Sequence, residues 1–214
     1  MNLRRLYSYR FRDIDQGARA AAWAEIAADV WERMGRPQRI LDPAAGRGEF
    51  VNGVPAAETW AVDREPYPEG TFRDGTTLIV SDIFEAELPE AHFDGVFISN
   101  FLEHLPTQQD VARLLEHLRA TMTPGGRIAV LGPNYRYAAK EYWDYADHTI
   151  PLTERSVEEH LYAAGFEPEV MIARYLPYSF RSRLPASPSL VRGYLRTPPA
   201  WRLLGKQFLV IARL

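Results

Sequence analysis

The stretch Ile40-Leu41-Asp42-Pro43-Ala44-Ala45-Gly46-Arg47-Gly48-Glu49-Phe50 opens as a buried apolar run, closes that run on an acid and turns abruptly into small residues. A chain needs small residues where its backbone must pass close to a ligand, because glycine reaches unusual dihedrals and has no Cβ in the way. A dinucleotide fingerprint wants Gly-x-Gly-x-x-Gly, whereas this loop reads Ala-x-Gly-x-Gly. The Lys-Ser/Thr pair that completes a phosphate-binding loop is absent.

The neighbouring segments make the loop informative. The β-rich run "TWAVD" (59–63) ends in Asp63, and "TLIVSDIF" (77–84) offers Asp82 just beyond its own strand. An acid at the carboxyl edge of the second strand can accept both hydroxyls of a ribose. A carboxylate beside an adenine can accept from its exocyclic amine. Asp42, Asp63 and Asp82 therefore outline an adenosine site with no provision for neutralising phosphate.

Further strands are expected at 93–99, 127–134, 167–176 and 207–214. The spacing of Trp23, Ile26, Ala27, Val30 and Trp31 predicts an amphipathic helix over 15–34, stopped at Gly35. A second helix is expected over 107–122, and a third after the capping box that begins at Thr153 and closes at Gly165. Strands alternating with helices imply a mostly parallel sheet covered on both faces. The expectation is an α/β, doubly wound, Rossmann-like sheet of seven strands with the last antiparallel. Its parts would be an N-terminal helical segment (1–36), a core (38–174), a basic Pro-rich insertion (175–205) and a last strand (206–214), all within one domain (1–214).

The 214 residues are 46% hydrophobic and 25% charged, ordinary for a globular chain. No apolar run approaches the roughly 20 residues of a membrane span, and no signal peptide is apparent. There is no cysteine, which excludes disulfides and Cys-ligated metals and points to a cytoplasmic address. The net charge of −3 hides a segregation. All 28 acids lie between Asp13 and Glu169, leaving +12 on the two ends and −15 in the middle. Basic ends of this kind either meet anionic ligands, phosphates or an acidic membrane surface, or pack on the acidic body.

These segments resemble the class I S-adenosylmethionine-dependent methyltransferases. "ILDPAAGRGEF" is similar to the family's first strand and glycine loop, with Ala44 in place of the first glycine. "FDGVFISNFLEHL" (93–105) looks like its fourth strand and following loop, and "LRATMTPGGRIAVLGPN" (118–134) like its Pro-Gly-Gly turn and fifth strand. The resemblance implies S-adenosyl-L-methionine as cofactor. Asp42 would be one of the acids of the cofactor site, and Ala44, Gly46 and Gly48 would give close approach. Asp63 would hold the ribose with Arg64 beside it, Asp82 and the Ile83 backbone would lie at the adenine, and Asn100 and Phe101 would line the other side. The later segments "YWDYADHTIPLTERSVEEHLYAAGF" (142–166), "RYLPYSFRSRLP" and "PPAWRLLGKQFLVIARL" are similar to a subgroup of bacterial methyltransferases found alongside glycan-assembly enzymes.

A hydroxyl acceptor needs a base, and histidine titrates nearest neutrality. His148, in "WDYADHTIP" after the fifth strand, is the first candidate, oriented by Asp147 or Asp144; the alternative is that Asp147 and His148 brace the loop. His104, in "NFLEHL" beside the cofactor, is the second. His92, His117 and His160 read as surface or structural. Tyr135, Tyr137, Tyr142, Trp143 and Tyr145 suit a sugar or planar ligand, or a packed loop. Spacing alone shows no convincing metal ligands.

The expected activity is O-methylation of a hydroxyl on a sugar, a lipid-linked sugar or a similar polar metabolite, with a small-molecule or glycan acceptor that carries a phosphate in one version. Peripheral membrane contact through the basic C-terminal segment is a further expectation. Nucleic acid is not an expected partner. The alternatives are N- or C-methylation of a small molecule, and a non-catalytic methyltransferase-like scaffold.

Overall fold

The structure, a computed structural model, describes residues 3–10, 12, 15–178 and 187–214. Part of the basic insertion, with Arg181 and Arg183, lies outside the described residues.

Seven strands form one sheet: β1 (Arg39–Asp42), β2 (Glu58–Asp63), β3 (Thr77–Val80), β4 (Phe93–Ser99), β5 (Met122–Pro133), β6 (Glu167–Leu176) and β7 (Gln207–Arg213). Their order is β3-β2-β1-β4-β5-β7-β6. The first five are parallel, and β7 runs antiparallel between β5 and β6. The helices are α1 (Leu3–Arg10), α2 (Gln16–Arg33), α3 (Glu49–Gly53), α4 (Gln108–Thr121), α5 (Tyr135–Tyr142), α6 (Glu154–Ala163), α7 (Pro188–Leu195) and α8 (Pro198–Leu204).

Strand alternation sorts the core into two layers. Leu41, Val96, Ile98, Ile128 and Val130 face one side, where Val111, Leu114, Leu115 and Leu118 of α4 and Val157 and Leu161 of α6 cover them. Ile40, Phe97, Ala129 and Leu131 face the other, covered by Trp23, Ile26, Ala27 and Val30 of α2 and by Leu195 and Trp201 of α7 and α8. Each such Leu, Val or Ile contributes about 1.5–3 kcal/mol when fully buried. The expected doubly wound sheet is present.

Caps fix where the helices begin. The Asp15 carboxylate accepts from the amides of Gly17 and Ala18 to start α2. Thr153 and Ser156 form the reciprocal capping box of α6. The Pro-Gly-Gly turn is not a plain break: β5 already starts at Met122 and runs through Gly125, whose φ of +80° carries the chain around the corner.

The structure differs from expectation between Tyr135 and Tyr142. Aromatic residues there resemble an irregular loop, yet they fold as α5. Asn134 caps it by accepting from the Arg136 amide, and Ala138 and Tyr142, four apart, are fully buried. Burial of that stripe outweighs the modest helix propensity of tyrosine.

Candidate active site

Between β1 and β4 the chain reverses its direction of winding, and a crevice opens at the carboxyl ends of the strands, where ligands of open α/β sheets bind. Asp42 and Asp63 end β1 and β2 side by side at this edge. Asp63 is held by the loop itself: one carboxylate oxygen accepts from the Gly46 amide at 2.8 Å, the other from the Glu65 amide at 2.9 Å. Arg64 does not stand free but pairs with Asp82, whose other oxygen accepts from the Phe84 amide. Burial pushes Asp82 up, but the Phe84 amide and Arg64 outweigh it and hold the carboxyl below its ordinary range.

The carboxylates at the glycine loop are crowded. Burial pushes Asp42 up to about 8, opposed by the Ala44 amide and reinforced by Asp63 and Glu49. Asp63 is raised too, first by burial, against the pull of its amide partners. Such a pocket favours a ligand that brings positive charge and disfavours a pyrophosphate.

A titration test follows from Asp42. Its folded value lies above the unfolded value of about 3.9, so the native state holds the extra proton between these limits. The stability this confers is complete below pH 4 and is lost as pH rises through 8. Without ligand, the melting free energy of the wild type should therefore fall relative to Asp42→Asn by roughly 1.4 kcal/mol per pH unit between pH 5 and 7. Parallel pH profiles for the two proteins would contradict this.

The two loop glycines have different reasons to be glycine. At Gly46, with φ +53°, the nearest atom to an added Cβ is the Glu49 carboxylate at 3.8 Å, so the approach is open. At Gly48, with φ +72°, an added Cβ would lie 2.6 Å from the Phe72 ring. Gly48 therefore serves packing against Phe72, not only the ligand approach expected of it. Gly48→Ala should destabilise the protein by about 1–3 kcal/mol through overpacking and strain. Adding Phe72→Ala should remove the overlap while leaving the strain, so thermal melts of the single and double variants separate the two effects.

Across the crevice, the chain leaves β4 through Asn100 and Phe101. Asn100 has φ +47°, a conformation that asparagine tolerates, and its amide bonds to the Leu131 carbonyl. Phe101 packs at the edge of the core. Ile83 is buried, and its side chain belongs to the core.

The turn Leu102–His104 follows, and the segment after α5 is tied to it. The Thr149 amide and hydroxyl both donate to the Glu103 carbonyl at 2.9 Å. This brings His104, Asp147 and His148 together from positions more than forty apart. His104 Nδ1 lies 2.9 Å from the Asp147 carbonyl oxygen, which can only accept, so Nδ1 carries the proton of the neutral ring and Nε2 offers a lone pair. The Asp147 carboxylate lies 3.5 Å from the same Nδ1. The His148 ring sits edge-on to His104, with centroids 5.0 Å apart, and stacks on Tyr145. Burial and the neighbouring His104 push His148 down to about 4, against the opposite pull of Asp147.

Sequence reasoning missed two contributors. Arg10 of α1 grips Asp147 through both guanidinium nitrogens and lies 4.7 Å above the Tyr145 ring. Burial opposes the charge on Asp147, but Arg10 and His104 outweigh it and hold the carboxyl below its usual range. Glu103 is the other: it is buried, and burial raises its pKa. Among the described residues Asp147, and not the alternative Asp144, contacts an imidazole. Of the remaining histidines, His92 bonds to Glu58 and His160 to Gln108, as structural residues do.

The basic ends spend much of their charge on the acidic body. Arg192 pairs with Glu25, Lys206 with Glu141 and Arg213 with Glu169, while Arg174 donates to the carbonyls of Leu203 and Gly205. No helix of the described residues is long and apolar enough to cross a membrane.

A family model described as a methyltransferase domain matches residues 16–169. Among solved structures, the chain is similar to an S-adenosylmethionine-dependent methyltransferase from Archaeoglobus fulgidus, at 20% identity and a TM-score of 0.63, covering 98% of each chain. It is also similar to the 1,6-didemethyltoxoflavin-N1-methyltransferase of Burkholderia thailandensis, solved with its substrate and S-adenosylhomocysteine. There the identity is 23% and the TM-score 0.61, over 97% of this chain and 84% of that one. A third structure, from Thermotoga maritima and described as a possible histamine N-methyltransferase, shares 15% identity at a TM-score of 0.67 over 97% and 93%. None of the curated proteins gives a significant match.

Proposed function

We propose a reaction for this chain as what it is, a member of the methyltransferase-domain family. The chain is an S-adenosylmethionine-dependent enzyme that methylates a small polar acceptor, at a hydroxyl oxygen. The observation that carries this reading is the juxtaposition at one sheet edge of an acidic, glycine-floored pocket with an imidazole whose Nε2 lone pair is fixed by the Asp147 carbonyl.

The pocket fits the cofactor on its charge. Crowded carboxylates at Asp42, Asp63 and Glu49 gain from a ligand carrying an ammonium and a sulfonium. Asp63 and the Arg64–Asp82 pair would hold the ribose and adenine end, Asp42 and the open side of Gly46 the methionine end, with Asn100 and Phe101 opposite. When bound, the cofactor supplies a methyl already activated on sulfur. What the protein adds is in-line positioning, for which about 7–11 kcal/mol is available, and a destination for the hydroxyl proton. His104 Nε2 takes that proton, and Asp147, 3.5 Å from Nδ1, stabilises the resulting cation. Arg10 keeps Asp147 ionised for this role. His148, neutral because its value is depressed, packs beside His104 and orients the acceptor.

Sugar-like acceptors remain the favoured class, since half-exposed Trp143 and the Tyr145 ring lie at this mouth. Likeness to a glycan-associated subgroup adds to that choice. The ion pairs made by Arg192, Lys206 and Arg213 leave those side chains little charge to offer a phosphate or a membrane surface. An amine acceptor is a second reading, because two of the structurally similar proteins are described as N-methyltransferases.

Incubation with S-adenosylmethionine and a panel of sugars, nucleotide-sugars and small amines, read by mass spectrometry, tests the assignment. A gain of one methyl on a hydroxyl acceptor with S-adenosylhomocysteine formed is expected. Transfer confined to amines would replace the oxygen reading with the nitrogen one.

A further inference from the structure

Among the described residues, the Glu103 carboxylate is buried with no close ion pair. It is 2% exposed, and His104 Nε2 stands 4.0 Å away, beyond hydrogen-bonding distance. Arg10 is committed to Asp147. Burying a lone carboxylate costs several kcal/mol unless a cation or a proton compensates it.

Around it are two nitrogen lone pairs with no better use. His104 donates Nδ1–H to the Asp147 carbonyl, which turns Nε2 toward Glu103. A ring whose other nitrogen is fixed by a carbonyl or carboxylate is what a metal-binding histidine requires. The His148 imidazole packs against the rings of His104, Tyr142 and Tyr145, and its Nδ1 is buried with no hydrogen-bond partner among the described residues. One donor atom from each of Glu103, His104 and His148 lies within 4.8 Å of the other two.

We propose that Glu103, His104 and His148 bind a divalent transition-metal cation. Two imidazoles and one carboxylate suit the Mn²⁺-to-Zn²⁺ series better than Mg²⁺ or Ca²⁺, which prefer oxygen ligands. Metal–ligand bonds of about 2.0–2.2 Å require the donors to draw together by roughly 1 Å, a movement open to the side chains of two loop segments. Three protein ligands leave coordination positions for an acceptor oxygen. This deepens the methyl-transfer reading and, for its catalytic consequence, rests on it. With the cation bound, Glu103, His104 and His148 would hold it and it would supply a Lewis acid for the acceptor oxygen, so the proton-acceptor role of His104 belongs to the metal-free chain. Metal binding itself stands independently of that reading.

The test is titration of the full chain, after dialysis against a chelator, with Mn²⁺ followed by electron paramagnetic resonance and with Zn²⁺ followed by calorimetry. Binding of S-adenosylhomocysteine is measured on the same metal-free samples. One site per chain with micromolar or tighter affinity is expected, weakened about 10- to 100-fold or more in each of Glu103→Gln, His104→Gln and His148→Gln. Retained binding of S-adenosylhomocysteine by the variants shows that they are folded. No saturable binding by the wild type, or binding equal in all three variants, overturns the proposal. Metal binding without S-adenosylhomocysteine binding would instead count against the cofactor assignment and leave the metal site standing.

Discussion

Replacing Asp63 by alanine is expected to weaken S-adenosylhomocysteine binding by about 10²–10³-fold, the consequence of losing charge-assisted hydrogen bonds of roughly 1.5–3 kcal/mol each. The carboxylate joins the end of β2 to the glycine loop through the Gly46 amide and to the next turn through the Glu65 amide. Alanine removes both tethers and, with them, the acceptor proposed for the ribose hydroxyls. Asp63→Asn should fall between, since its amide retains one acceptor oxygen but not the charge. Calorimetry of the three proteins, with NAD as a control ligand, checks the order. Equal affinities would remove Asp63 from the cofactor site, and failure of the folded wild type to bind at all would leave a scaffold as the better reading.

His104→Gln should reduce kcat for a hydroxyl acceptor by about 10²–10⁴-fold, the range spanned by positioned proton acceptors. Affinity for S-adenosylhomocysteine should change little, because the contacts of the ring are with Asp147 and His148. Arg10→Gln should act through Asp147, lowering kcat less than His104→Gln does and leaving cofactor affinity unchanged. A His104→Gln variant that keeps full activity on its best acceptor would point to an amine, which loses its proton without a strong base.

The fold was legible because local patterns agreed with one another. The apolar runs ending in Asp42 and Asp63, the spacing of Trp23, Ile26 and Val30, and the Thr153 box each specify their element with short-range chemistry. Where local and tertiary preferences part, the reading failed: Tyr135–Tyr142 resembles a loop until Ala138 and Tyr142 are buried as a helical stripe. Gly48 looked like a ligand-contact glycine, and only the position of Phe72 shows its packing role.

The acceptor side was legible as residue types without their arrangement. His104, Asp147 and His148 could be nominated as titratable groups near the strand ends, and the sequence did place them after β4 and β5. It could not say that the Asp147 carbonyl fixes the tautomer of His104, nor that Arg10, more than a hundred residues away, neutralises Asp147. Ligand spacing along the chain gave no sign of a metal site, because Glu103 and His148 meet only through Thr149 bonding back to the turn after β4.

By itself, then, the sequence determined the winding of the sheet, the acidic edge and the glycine floor, since these depend on periodicity, capping and backbone sterics that act over a few residues. Only the tertiary structure decided which side chains share charge and protons at that edge. Electrostatic coupling depends on distance and burial in space, and neither the 3.5 Å between His104 and Asp147 nor the burial of Glu103 leaves a trace in the spacing of the chain.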